Sequence, residues 1–249
     1  MYPHKLTLLV SIILLVLFHT HVIAKQKAPT GGRIAVVVDE RLAALRSTPD
    51  LTGNLVRRLG RGRLVAIRSV KTNRDGVVFF FVNVTTRTRG WIQRESVVSP
   101  SRTGDDARLV RLIQQSHDFE RITRARIFLD HFRRSPLRPA VLLLLGDTAE
   151  ELAPKLTTEA RRKLNTDSGE APEFSYFLNY SGLDRYNRQG IHFTFNPNTK
   201  RFHYDGAAYR LLVRHHPNSA EADEARQRLL DLPNLHKTPS ILYSQPQKR

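Results

Sequence analysis

The sequence contains no cysteine in its 249 residues, and it has a single methionine and a single tryptophan. Without a thiol, the chain has no disulfides, no thiolate zinc site and no cysteine nucleophile. It also lacks a Gly-x-Ser-x-Gly turn, a His-Glu-x-x-His pair and a phosphate-binding glycine loop. Adjacent acidic residues such as Glu150-Glu151 point around a helix axis rather than toward each other, which favours solvated faces. The sequence therefore predicts no catalytic residue, no metal and no cofactor.

Long apolar runs are also missing. The longest runs from Leu6 to Phe18, broken by Thr7 and Ser11, whereas a membrane-spanning helix needs roughly 20 residues. With Lys5 before the run and Val22-Ile23-Ala24 after it, the pattern predicts a signal peptide over residues 1–24, cleaved between Ala24 and Lys25. The mature chain would then begin with a polar linker, 25–32, and hold no transmembrane span. An uncleaved anchor is the competing interpretation.

Acidic residues are scarce: 23 Asp and Glu stand against 40 Lys and Arg, for a net charge of +17. This excess predicts anionic partners, such as phosphate-bearing envelope polymers or nucleic acid. Residues 33–100 hold 13 basic and 5 acidic residues, whereas residues 101–249 hold 24 and 18. The first region is therefore the denser anion binder, and its arginines cluster in predicted turns (Arg57, Arg58, Arg61, Arg63, Arg87 and Arg89). Solubility alone remains the alternative explanation, and export disfavours nucleic acid.

Residues 33–100 have the pattern of a small all-β unit. Short apolar runs alternate with turn residues, and Asp75-Gly76 predicts a hairpin into the longest strand, Val77 to Val84. That strand is apolar on both faces, so both faces should be covered. Short strands at this spacing predict a barrel of roughly 65 residues.

Seven short segments of this region occur in the order and spacing of the bacterial SH3-like (SH3b) family, which the region resembles. In chain order they are Ala44-Leu45-Arg46, Thr48-Pro49, Leu55-Val56 with Leu59, Gly62-Arg63-Leu64-Val65, Val78 to Val84, Gly90-Trp91-Ile92 and Val97-Val98. The resemblance implies a barrel with no catalytic activity that holds cell-wall peptides or glycans. One departure is Gly76-Val77, where many members carry a Gly-Trp pair.

The resemblance makes Trp91 the candidate ligand-binding residue. Its ring would stack on the ligand, while Arg46 and Arg89 would hold an anionic group nearby. The competing interpretation is that Trp91 closes the barrel core and meets no ligand, because a lone tryptophan beside a turn glycine is often structural.

Residues 101–104 change composition abruptly and are predicted to be a linker before a helical domain, 105–232. Apolar spacing predicts helices over Asp105 to His117 and Phe119 to Phe132. Ala140 to Leu145 is apolar all round and predicts a buried helix, in which Gly146 allows a neighbour to approach closely. Glu159 to Leu164 predicts a further, more exposed helix.

The segment from Ala208 to Ser219, followed by Ala222, Ala225 and Leu229, resembles the turn between paired helices of tetratricopeptide-type repeats. Pro217 would end one helix and Asn218 would cap the next. A shift of 84 residues lays Phe128 to Ser135 over Leu212 to Ser219, which suggests two copies of one helix-turn-helix unit. The resemblance implies a domain that binds proteins and performs no chemistry.

An aromatic hairpin over residues 191–204 interrupts this helical pattern. Pairing Phe195 with Lys200 places Ile191, Phe193, Phe195, Phe202 and Tyr204 on one face. In that register His192 lies opposite His203. Two histidines are too few for a zinc site, and Arg201 beside them disfavours a cation, so a surface pair is favoured over a metal.

These observations together predict an α+β multidomain protein: an SH3-like barrel, then a tetratricopeptide-like helical domain with an inserted β-hairpin, and a tail, 233–249. We expect an exported, periplasmic or extracellular protein of the cell envelope that is not an enzyme. The barrel would bind a wall peptide, glycan or other anionic polymer, and the helical domain a protein partner. The alternative is an accessory or degenerate enzyme acting on cell-wall polymers.

Overall fold

The structure is a computed structural model that describes residues 29–166 and 172–232. The strands are β1 (Arg33–Val37), β2 (Ala44–Arg46), β3 (Leu55–Arg58), β4 (Leu64–Thr72), β5 (Val78–Asn83), β6 (Arg89–Gln93), β7 (Val97–Val98), β8 (Phe193–Asn196) and β9 (Arg201–Tyr204). The α-helices are α1 (Asp105–Gln114), α2 (Asp118–His131), α3 (Arg138–Thr166), α4 (Glu173–Leu178), α5 (Asp184–Asn187), α6 (Ala207–His215) and α7 (Ala220–Asp231). The predicted signal peptide, its cleavage point between Ala24 and Lys25, and the 233–249 tail lie outside the described residues.

The first seven strands form one antiparallel sheet in the order β3-β2-β6-β5-β4-β1-β7. This corrects the predicted closed barrel, because β3 and β7 do not pair with each other and remain the two edges. β7 is only two residues long and leads at once into the turn before α1, while every residue of β3 is exposed. The molecule is therefore a mixed α/β protein with an open antiparallel sheet and a set of helices.

The sheet buries side chains on both faces, and successive residues of a strand contribute to opposite faces. Ala35, Val37 and Val97 belong to a core that the sheet forms with itself. The alternate residues Val36 and Val98 belong to the core of the helices. One apolar core therefore runs from the sheet into the helical region. The predicted division into separate domains stays a prediction.

The turn between the two regions is fixed by hydrogen bonds. The backbone N–H of Ser99 donates to the carboxylate of Asp105 at 2.7 Å, and its hydroxyl donates to the Ile34 carbonyl at 2.7 Å. Arg102 donates to the same carboxylate at 2.6 Å. Residues 101–104, predicted as a linker, thus form a turn that is anchored at both ends.

Helix α3 corrects the prediction of two separate helices over 140–145 and 159–164. It is one helix of 29 residues that contains Pro154 in its interior. Proline removes a backbone donor and usually breaks a helix. A buried stripe nevertheless continues past it, formed by Leu145, Ala149, Leu152, Leu156 and Ala160. Because packing of such a stripe supplies most helical stability in proteins, the helix persists.

Two helix pairs, α2–α3 and α6–α7, have turns that begin with the same backbone hydrogen bond, although the first turn spans residues 132–137 and the second only 216–219. The N–H of Phe132 donates to the Phe128 carbonyl at 2.8 Å, and the N–H of His216 donates to the Leu212 carbonyl at 2.8 Å. These residues correspond under the 84-residue shift. The predicted N-cap of α7 is wrong. Ser219, not Asn218, caps this helix, and its hydroxyl accepts from the backbone N–H of Ala222.

The hairpin β8–β9 has the predicted apolar face but not the predicted register. Phe195 lies opposite Phe202, and Thr194 lies opposite His203. A slip of two residues keeps every side chain on its face, so the aromatics are still buried. The Asn196 side chain accepts from two backbone N–H groups of the loop, which fixes the shorter strands. The expected opposition of His192 and His203 is therefore wrong.

Candidate functional site

Trp91 lies at the centre of a row of three side chains across the sheet. It is paired with Arg46 on β2 and with Phe81 on β5. Residues directly opposite each other in antiparallel strands share a face. The Trp91 and Phe81 ring centroids are 5.2 Å apart, with the rings tilted by 57°. We call Arg46, Phe81, Arg89 and Trp91 the tryptophan surface, since Arg89 lies two residues before Trp91 and shares its face.

Gly90 explains why this row can form. A Cβ atom there would lie 2.6 Å from the Arg46 carbonyl oxygen and 3.0 Å from Leu45 Cγ. No other residue type fits so close to a neighbouring strand. The Gly-Trp step therefore brings β6 against β2 and places the Trp91 ring directly beside Arg46.

The face that Trp91 occupies bears on its predicted roles. The sheet's own core contains Ile92 and Leu45, on the opposite face, while Trp91 is half-buried and belongs to neither apolar core. The interpretation that Trp91 closes the core therefore does not fit its position. Its place beside two arginines fits contact with a ligand, which stays a prediction.

The two arginines of the tryptophan surface form no ion pair within the described residues. Arg46 is half-buried, and its guanidinium donates to the Gly53 carbonyl at 2.7 Å, which orders the loop after β2. Arg89 is exposed. The pKa of Asp50 in that loop is lowered, first by hydrogen bonds from Thr52 and more weakly by Arg46. Within the described residues, this surface therefore carries two arginines without an ion pair, and only the weak attraction between Arg46 and Asp50 offsets their charge.

Two cavities beside the sheet carry further arginines. The arginine pocket has a volume of about 330 Å³ and lies between β3, the turn after it and Val84. The junction groove has a volume of about 1000 Å³ and lies between Gly62, the 100–104 turn and the 130–136 turn. Arginines in turns were a visible signal for the pocket. Nothing in the sequence pointed to the groove, because it forms only where the two regions pack.

Other chemistry is sparse in the described part of the chain. Residues 29–166 and 172–232 contain no cluster of three or more His, Asp or Glu residues that is suited to a metal ion. Burial, and then Arg201, lowers the pKa of His203. Within the same ranges, no helix combines the length and the apolar character needed to cross a membrane.

Comparison of the chain with protein-family models, curated proteins and solved structures finds no match. The tryptophan surface, the arginine pocket and the junction groove are therefore interpreted from their own geometry and charge.

Proposed function

We propose that this protein is an exported, non-catalytic protein of the cell envelope, and that its tryptophan surface binds a wall peptide, glycan or other anionic ligand. The observation that carries the proposal is the half-buried Trp91 ring, which faces away from the sheet core between Phe81 and Arg46. A flat ring beside cationic groups suits a ligand that has both an apolar face and a negative charge.

The helical region would bind a protein partner. Two helix pairs whose turns begin with the same backbone hydrogen bond support this assignment, as does the resemblance to tetratricopeptide-type repeats. Helix α7 carries Leu230, which is 77% exposed, and α6 carries the exposed Leu211. Exposed aliphatic side chains on paired helices suit a groove or face for another chain.

The test for the sheet is co-sedimentation of the intact chain with purified sacculi. Trp91→Ala should reduce bound protein by about tenfold, as for a central aromatic contact. Trp91→Phe should keep most binding, and Arg89→Gln should weaken it in a salt-dependent manner. The matched control is Arg74→Gln, which removes one exposed arginine from the β4–β5 turn.

Equal loss with Arg74→Gln and Arg89→Gln would contradict the proposed surface, since net charge alone would then explain binding. Point substitutions are preferable to deletion of residues 33–100, because β1 and β7 contribute to the helical core. Release of glycan or peptide fragments during incubation would instead favour the alternative of an accessory enzyme. For the helical region, Leu230→Arg should abolish capture of an envelope protein that the parent chain retains.

A further inference from the structure

Four of the eight residues that line the arginine pocket are basic and none is acidic, although the Glu40 carboxylate accepts from the backbone N–H of Arg61 at 3.2 Å. Its lining includes Arg57, Arg58, Arg61 and Arg63. Its apolar members are Leu59 and Val84, which are only 3% and 4% exposed. The pocket therefore offers guanidinium groups at its rim, while its two apolar side chains are almost completely buried.

Three of these four arginines are available. The Arg61 guanidinium is engaged, since it donates to Glu120 at 2.6 Å and to the Thr123 hydroxyl at 3.1 Å. Arg57, Arg58 and Arg63 form no ion pair within the described ranges, and the first two are exposed on the edge strand β3. Like charges that line one cavity repel one another, and a bound anion relieves that repulsion.

The junction groove begins where the pocket ends, because Gly62 lines both cavities. On the far side of the groove lie Arg133 and Arg134, both exposed and without an ion pair in the described part of the chain. Two carboxylates also line the groove, and both are engaged. Asp106 accepts from the Ser135 hydroxyl at 2.8 Å, and Asp130 lies 3.8 Å from Arg126.

We propose that the arginine pocket and the junction groove together bind one linear polymer that carries phosphate groups along its length. Two adjoining cavities with free arginines in each suit a chain of repeated anions better than one small anion. The planar fork of arginine matches phosphate oxygens. The pocket, which has no carboxylate, holds the polymer more firmly than the groove does.

An acidic peptide is the less suitable occupant. Peptides bound at a sheet edge gain specificity from pockets that take alternate side chains. The arginine pocket provides no such apolar pocket, because Leu59 and Val84 are buried beneath its rim. Exposed guanidinium groups without an open pocket for an apolar side chain favour a polymer whose recognised group is the phosphate itself.

The test measures binding of the intact chain to three probes: long-chain inorganic polyphosphate, orthophosphate and poly-glutamate. We expect polyphosphate to bind most tightly, with an affinity that falls steeply with salt, by a slope of about −0.7 per neutralised phosphate if it behaves as single-stranded nucleic acid does. Equal affinity for poly-glutamate would replace the proposed occupant by an acidic peptide. If orthophosphate bound with equal affinity per site, the cavities would hold only single anions, and the proposal that they bind a polymer would be wrong.

Substitutions locate the path. Arg58→Gln should lower polyphosphate affinity about tenfold and Arg133→Gln about threefold at low salt, with the double variant lowering it by their product. Arg74→Gln, in the distant β4–β5 turn, should change it much less. Equal losses for Arg58→Gln and Arg74→Gln would mean that only net charge matters. Loss of polyphosphate binding in Trp91→Ala would mean that the polymer lies on the tryptophan surface instead.

His131 reports whether the polymer reaches the groove. Burial lowers its pKa, Asp130 raises it, and Arg133 lowers it further. A phosphate held by Arg133 should raise the His131 pKa, which proton NMR of the imidazole measures after assignment with His131→Gln. An unchanged His131 pKa at saturating polyphosphate would confine the ligand to the arginine pocket and overturn the continuous path.

Discussion

The sheet region and the helical region differ in how many of their basic residues form ion pairs. Of the 13 basic residues between Arg33 and Pro100, only Arg41, Arg61 and Arg94 form ion pairs within the described residues. In the helical region, carboxylates lie beside many of the cations. Examples are Lys155 with Asp118 at 2.6 Å and Lys163 with Glu159 at 3.2 Å.

Because of this difference, we expect an anionic ligand to bind at the sheet region rather than at the helices. On the helices, carboxylates neutralise many of the cations, which leaves little net attraction for an anionic ligand. The arginines of the sheet without ion pairs attract anions, and their mutual repulsion slightly destabilises the folded state. The two regions meet at a buried arginine, Arg124, which is 4% exposed. We expect Arg124 to help couple the unfolding of the two regions, so its removal is the most severe test of the comparison.

The largest expected effect is that of Arg124→Ala. The side chain donates to the Val38 carbonyl at 3.2 Å and to the Ser116 hydroxyl, and it lies 3.1 Å from Glu120. Its loss leaves buried acceptors without a partner and should lower the free energy of unfolding by about 2–4 kcal/mol. Denaturant titration followed by Trp91 fluorescence and by far-UV circular dichroism measures both regions separately.

In the parent chain the two signals should report coincident transitions, and in Arg124→Ala they should separate. The control is Arg126→Ala, which removes an exposed ion pair with Asp130 at 3.8 Å. Such surface pairs contribute less than about 1 kcal/mol. Coincident transitions in Arg124→Ala would show that the shared apolar core alone couples the two regions.

Much of this architecture was predictable from local patterns, and the errors have a common cause. Alternation and the Asp75-Gly76 turn predicted the β4–β5 hairpin, and the spacing of apolar residues predicted α1 and α2. The prediction that the longest strand runs from Val77 to Val84 was wrong, since β5 has six residues and β4 has nine. The predictions of a closed barrel and of two separate helices in place of α3 were wrong, because both features depend on tertiary packing. Strand closure depends on what covers β7, and helix continuity at Pro154 depends on the buried stripe on either side of it.

The candidate sites divide in the same way. The Gly90-Trp91 step and its partner Arg46 were predictable because a short motif and one cross-strand pair define them. The junction groove was not, since Gly62 and Arg133 are brought together only by the packing of two regions far apart in sequence. The His192 and His203 pairing failed because the loop at Asn196 shifts the register by two residues.

The second largest effect tests packing within the helical region. A Cβ atom at Gly146 would lie 2.3 Å from Cε1 of the buried Tyr209. Gly146→Ala should therefore cost about 1–3 kcal/mol through overpacking, although alanine is the better helix former. The same substitution in a Tyr209→Leu background should cost much less or become stabilising. An equal cost in both backgrounds, measured by denaturant titration, would show that the α3–α6 contact is not what requires glycine.

A smaller effect distinguishes Ser219, which caps α7 in the structure, from Asn218, which the sequence analysis predicted as the cap. Ser219 accepts from the N–H of Ala222 at 3.2 Å, whereas Asn218 precedes the cap. Ser219→Ala should destabilise the chain by about 1 kcal/mol. Asn218→Ala should change the unfolding free energy by less than about 0.5 kcal/mol. The reverse order of effects would restore the cap that the sequence suggested.

The smallest expected change in the free energy of unfolding has opposite signs in the two regions when a cation is removed. Arg57→Gln with Arg58→Gln removes two unpaired cations from β3, so it should leave stability unchanged or raise it by up to about 0.5 kcal/mol at low salt. Lys155→Gln removes a cation 2.6 Å from Asp118, so it should lower stability by a few tenths of a kcal/mol. Both differences should shrink as salt screens the charges. If the β3 variant instead lost stability while the Lys155 variant did not, the arginines of the sheet would be structural, and their lack of ion pairs would no longer indicate a binding surface.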